Sequence, residues 1–169
     1  MQCMSNFSRY PISKCYNFIE KYIIKDYDIA LLSINEQLKL GSKDLILDVG
    51  GGTGFILQNL YKKSFMKINM DSSKNMLLQL ENETIIKIQG DGVYIPFKNE
   101  SVTIVLLINV LHHIDKNNHK MLFQEICRIL KKEGIFFMID LYYSKSFLNN
   151  LFTIFEELSV EKNISHSSR

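Results

Sequence analysis

The chain has 169 residues, 46% hydrophobic and 22% charged, which is enough to bury one core and is the usual size of a single domain. Twenty basic against eighteen acidic residues give a net charge of +2, too balanced to supply an electrostatic footprint for nucleic acid or an anionic surface. Three cysteines, Cys3, Cys15 and Cys127, form no CxxC pair and no metal-ligand spacing, so neither a disulfide framework nor a metal site is expected.

From the N-terminus, Met1 to Arg9 lacks a basic start followed by an apolar run, so no secretory signal is expected. Apolar residues then recur at helical spacing over 14–40, with Tyr16, Ile19, Tyr22 and Ile23 on one stretch and Ile29, Leu32 and Leu38 on the next. This predicts one or two helices ahead of the core, a helical cap over 1–42 that stops at Gly41 and Ser42. Short apolar runs then alternate with amphipathic segments. The pattern predicts strand Leu45–Val49, helix Thr53–Tyr61, strand Met66–Met70, helix Ser73–Leu80 and strand Thr84–Gln89. A loop through Tyr94, Pro96 and Phe97 follows, then strand Val102–Ile108, helix Asn117–Leu130, strand Ile135–Asp140 and a last helix over 146–158. Such alternation predicts an α/β domain, a mostly parallel sheet with helices on both faces, over a core of 43–160 with a tail at 161–169. The longest apolar run, Val102–Leu111, is broken by Thr103 and Asn109 and falls far short of the roughly twenty residues of a membrane span. A soluble, reduced, cytoplasmic protein is the expectation.

The segment LILDVGGGTGFI sets Asp48 at the end of a buried strand, then Gly50, Gly51, Gly52 and Gly54, then a helix. Glycines at a strand-to-helix turn let a ligand approach the backbone at the strand's carboxyl end. A nicotinamide fingerprint G-x-G-x-x-G beginning at Gly50 requires glycine where Phe55 stands, and no Gly-Lys-Ser/Thr follows to make a P-loop. Asp71 ends the second strand, twenty-one positions after Gly50. A carboxylate there suits a ribose diol, or equally a helix N-cap.

The D-x-G-x-G-x-G pattern, together with NMDSSKNML, QGDGVYIPF, SVTIVLLINVLHHI and EICRILKKEGIFFMIDLYY in that order, resembles class I S-adenosylmethionine-dependent methyltransferases. The likeness is in particular to the branch resembling the ubiquinone and menaquinone biosynthesis enzymes. The resemblance implies a Rossmann-like three-layer sandwich and S-adenosyl-L-methionine as cofactor. It assigns the methionine and ribose portions to Asp48, Gly50, Gly51, Gly52 and Gly54, and the ribose hydroxyls to Asp71. It puts Ser72 where an apolar residue usually packs on the adenine, so Met76 is expected to supply that contact. Asp91 and Gly92 would bind the adenine edge, and Asn109 would line the methionine end. Thr103 stands where relatives have aspartate, and Glu133 replaces one of two usual glycines; the first departure is expected to weaken a structural anchor.

The sulfonium of such a cofactor is already activated, so the protein has chiefly to align a nucleophile and exclude water. For a hydroxyl or amine acceptor a base is useful, and His112 and His113 are candidates, with Asp140, Tyr142 and Tyr143 at the end of strand five equally near. The resemblance also implies two further strands that 157–169, ELSVEKNISHSSR, is too short and polar to supply. An open strand-five edge is therefore expected, able to pair with a second copy or a partner chain. Two functions follow: methyl transfer to a small-molecule or lipid-like acceptor, or a truncated or catalytically impaired cofactor-binding domain acting as a partner subunit.

Overall fold

The computed structural model describes residues 44–60 and 65–140. The helices expected over 14–40 and 146–158, the tail, and Tyr142 and Tyr143 lie outside the described residues. Within them, five parallel strands form one sheet: β1 (Leu45–Val49), β2 (Met66–Asp71), β3 (Ile85–Gln89), β4 (Val102–Ile108) and β5 (Leu130–Ile139), in the order β3-β2-β1-β4-β5. Sequence-adjacent strands run outward from β1 on one side and from β4 on the other. Their connections therefore diverge at the β1/β4 boundary, which opens a crevice at the strands' carboxyl ends.

The strands are built from runs such as VTIVLLI, and neighbouring positions face opposite sides of the sheet. On one face Leu47, Val49, Ile68, Met70, Val105 and Leu107 pack with helix α3 (His119–Ile129). That helix buries Leu122, Phe123, Ile126 and Ile129, the spacing of a single stripe. On the other face Ile46, Ile104, Leu106 and Ile108 pack with Ile56 and Leu57 of α1 (Phe55–Asn59) and with Leu60 and Leu80. Helices thus cover both faces, giving the three-layer α/β architecture expected. α2 (Lys74–Leu77) lies between β2 and β3.

β1 and β4 have the expected bounds; the helices are shorter than expected. α1 begins only after Gly54, which sits at φ 74°, and its carbonyl end at Leu57 and Leu60 accepts hydrogen bonds from the buried Lys67 ammonium of β2. Ser73 caps α2 rather than belonging to it, its hydroxyl accepting from the Met76 amide. Before α3 the chain makes two 3-10 turns, Leu111–His113 and Lys116–Asn118. β5 starts five residues earlier than expected, because Leu130 pairs with Val102 while Ile135 pairs with Ile104. The unequal spacing makes Lys131–Gly134 a bulge.

The anchor expected to be weakened at Thr103 is present by another route. The Thr103 hydroxyl donates to Asp44 at 3.0 Å and accepts from the Lys131 ammonium at 2.9 Å, tying β4 to the start of β1 and to the bulge. β3 and β5 are the outermost strands among the described residues. No helix of the described residues is long and apolar enough to cross a membrane.

Candidate cofactor and acceptor cleft

A cleft of about 750 Å³ opens at the carboxyl ends of β1 to β4. Its floor is Asp48 and the glycine turn Gly50–Gly52; one wall is Asp71, Ser72 and Met76, a second Asp91 and Gly92, and a third Asn109 and His113. Ten of the eleven residues expected to hold a cofactor therefore border one cavity. Gly54 does not: a side chain there would meet Leu80, so it packs against the core beneath the turn.

The turn is held from β2. The Gly50 amide donates to the Met70 carbonyl at 2.7 Å, and the Gly52 amide donates to Asp71 Oδ2 at 2.9 Å. Asn69, fully buried in the middle of β2, donates from Nδ2 to the Gly52 carbonyl at 3.0 Å. Gly51 passes so close to Asn69 that an added Cβ would lie 2.0 Å from its Oδ1, which excludes any side chain. Gly52 is at φ 54°, and a Cβ there would have only Met76 Cε nearby, at 3.3 Å, so any side chain would grow into the cleft. The backbone is bare where a ligand would lie.

Asp71 does not cap a helix; Ser73 does. Its carboxylate instead accepts two amides, Gly52 on Oδ2 and Ser73 on Oδ1 at 2.7 Å. Burial raises its pKa above the usual carboxylate value, and the two amides, Ser73 more than Gly52, pull it back. Each oxygen keeps a second lone pair for a ligand hydroxyl. Asp91 Oδ1 accepts the Val93 amide at 3.1 Å and so shapes the turn after β3.

The segment after that turn is held by a pair that sequence reasoning missed. On α3, Arg128 pairs with Glu125 at 2.7 Å, donates to the Ile95 and Phe97 carbonyls, and Glu125 accepts the Ile95 amide at 2.8 Å. Both backbone polar groups of the buried Ile95 are thereby satisfied by side chains. The guanidinium holds the Glu125 carboxyl below its ordinary range.

At the far end, Asn109 follows β4 with φ 56°, rare outside glycine, and its Nδ2 is buried with no hydrogen-bond partner among the described residues. His113 borders the cleft, whereas His112 and Asp140 do not line it. His112 Nδ1 lies 2.6 Å from Asp140 Oδ1, and Asp140 Oδ2 accepts the Leu111 amide at 2.6 Å. The two imidazole centroids are 3.9 Å apart. Burial lowers the His113 pKa, the neighbouring His112 lowers it further, and Asp140 opposes both. Of the missed residues, Asn69 had a readable signal, an amide inside an apolar strand, while Arg128 and Glu125 resemble any exposed helical ion pair until their backbone partners are seen. No cluster of His, Cys, Asp or Glu with metal-ligand geometry occurs among the described residues.

Comparison with known proteins agrees with this fold. A family model described as a methyltransferase domain matches residues 47–138, just over half of the chain. The uncharacterized protein MJ0638 of Methanocaldococcus jannaschii is 34% identical over 119 residues, covering 70% of this chain and 48% of that protein; the chain spans about half the length of this curated relative. Among solved structures, a candidate S-adenosyl-L-methionine-dependent methyltransferase of Methanococcus maripaludis superposes with a TM-score of 0.66 at 23% identity, covering 88% of this chain and 68% of that one. A chain from the complex of the Haloferax volcanii Trm112 methyltransferase activator with its candidate methyltransferase gives 0.66 at 22%, covering 82% and 60%. At these identities the structures share the fold.

Proposed function

This chain belongs to the methyltransferase domain family, and from that premise we propose that it binds S-adenosyl-L-methionine in the cleft and transfers its methyl group to a small-molecule or lipid-like acceptor. The observation that carries the reading is the Gly52 amide seated on the Asp71 carboxylate, with Asp91 two residues beyond the end of the neighbouring strand. Together these set a bare backbone, a diol acceptor and an adenine-edge acceptor along one cavity. The residues fit the cofactor: Asp71 would accept the ribose hydroxyls, the Gly50–Gly52 turn would hold the ribose and methionine portion, Met76 would pack on the adenine, Asp91 and Gly92 would bind its edge, and Asn109 would line the methionine end. The cofactor supplies an activated methyl group; this chain orients it, excludes water and admits the nucleophile from the side of His113.

The test is transfer of labelled methyl from the cofactor to a panel of acceptors by the full chain, with Asp71→Asn as the control. Transfer by the wild type, with cofactor affinity at least about tenfold weaker in the variant, a difference of about 1.4 kcal/mol, is expected. Equal affinity in both would contradict the ribose assignment.

A second reading, a cofactor-binding subunit that needs a partner, is favoured by the Haloferax structure, in which a similar chain is held by an activator. It predicts cofactor binding without turnover by the isolated chain.

A further inference from the structure

Beside His113 stands a second group that the cofactor does not need. Asp140 is nearly inaccessible, with 2% of its side chain exposed, and both its oxygens are engaged: Oδ2 by the Leu111 amide and Oδ1 by His112 Nδ1, each at 2.6 Å. A carboxylate fixed in this way accepts a hydrogen bond from Nδ1–H, and the tautomer it selects leaves Nε2 of His112 as a lone-pair acceptor. His112 keeps 27% of its side chain exposed, and its ring lies against that of His113, which borders the cleft. Nothing among the described residues occupies Nε2.

We propose that His112, oriented by Asp140, is the general base of this site, and that the acceptor is therefore a hydroxyl group, methylated on oxygen. The inference rests on the methyl-transfer reading above. Its logic is the proton. A neutral amine or thiolate attacks a sulfonium methyl unaided, whereas a phenol or alcohol, with a pKa of about 10 or more, is a poor nucleophile until its proton leaves. In the step, the acceptor oxygen forms a bond to the methyl carbon while the carbon–sulfur bond breaks, its electron pair passing to sulfur to give the demethylated cofactor. The hydroxyl proton moves to His112 Nε2, and Asp140 compensates the imidazolium charge. Charge and atoms balance with no further reactant.

The test uses the full chain with His112→Asn, whose amide nitrogen keeps a donor near the Nδ1 position while removing Nε2, and with Asp140→Asn. Nitrogen-15 NMR of the wild-type imidazoles should show His112 with its proton on Nδ1, a readout independent of turnover. Affinity for S-adenosylhomocysteine should stay within about twofold in His112→Asn, showing an intact cleft, while kcat for hydroxyl acceptors falls about 100-fold. Asp140→Asn should lower kcat and shift the tautomer. Undiminished transfer by His112→Asn, a wild-type proton on Nε2, or wild-type transfer confined to amines or thiols would overturn the base assignment while leaving cofactor binding standing. Absence of S-adenosylhomocysteine binding by the wild type would instead remove the reading on which it rests.

Discussion

Asp71 shows how one carboxylate serves fold and ligand together. It accepts two backbone amides, so replacing it does more than delete a ligand contact. Asp71→Ala leaves the Gly52 and Ser73 amides without their acceptor and should destabilise the ligand-free protein by roughly 1–3 kcal/mol, measured by denaturant unfolding. An unchanged midpoint would mean that the turn does not depend on that carboxylate. His113 makes a prediction about pH. Its folded pKa lies below the unfolded value, so the folded chain binds fewer protons there than the unfolded one. The associated stability is present above the unfolded pKa of 6.5 and is lost as pH falls through the folded value. Between pH 7 and pH 5 the wild type should therefore lose stability faster than His113→Gln; parallel curves would contradict the lowered pKa of that ring. These residue types and their spacing were legible in the sequence for Asp48, Asp71, Asp91 and the glycines, because strand ends and turns carry strong local signals. Asn109's positive φ and buried amide were not, since they follow from how β4 meets β5.

At the scale of elements, the cleft walls depend on contacts between elements distant in sequence. The Glu125–Arg128 pair on α3 grips Ile95 and Phe97, about thirty residues earlier, and so holds the segment that begins at Asp91. Arg128→Met should cost about 1.5–3 kcal/mol through the loss of charge-assisted bonds to part-buried carbonyls, and should weaken cofactor binding as the Asp91–Phe97 segment loosens. Loss of stability with unchanged affinity would confine the pair to the fold. Strands β1 and β4 were readable to the residue because continuous apolar runs have only one way to be buried. Helix ends were not: the left-handed Gly54 delays α1, and Ser73 caps a helix of four residues. The β5 bulge was hidden because Lys131–Gly134 reads as an ordinary turn, whereas in the sheet Lys131 is drawn onto Thr103.

For the whole molecule, the decisive property is the strand order. With β1 and β4 adjacent and their connections diverging, the glycine turn, Asp71, Asp91 and Asn109, spread over about sixty residues of chain, converge on one cavity. Alternating strands and helices made the layers predictable, and the order of motifs made the cleft predictable. The acceptor side was less legible, because it depends on tertiary contacts such as that between His112 and Asp140, whose partners lie 28 positions apart. Ligand binding to this cavity must also stabilise the fold, since a ligand held 100-fold above its Kd adds about 2.7 kcal/mol. The most direct test of the account is therefore titration of the full chain with S-adenosylhomocysteine, followed by calorimetry and by thermal unfolding. The account predicts saturable one-to-one binding, a Tm that rises with the logarithm of ligand concentration, and no such response to a nicotinamide dinucleotide. No heat of binding and no shift in Tm at near-millimolar ligand would contradict it.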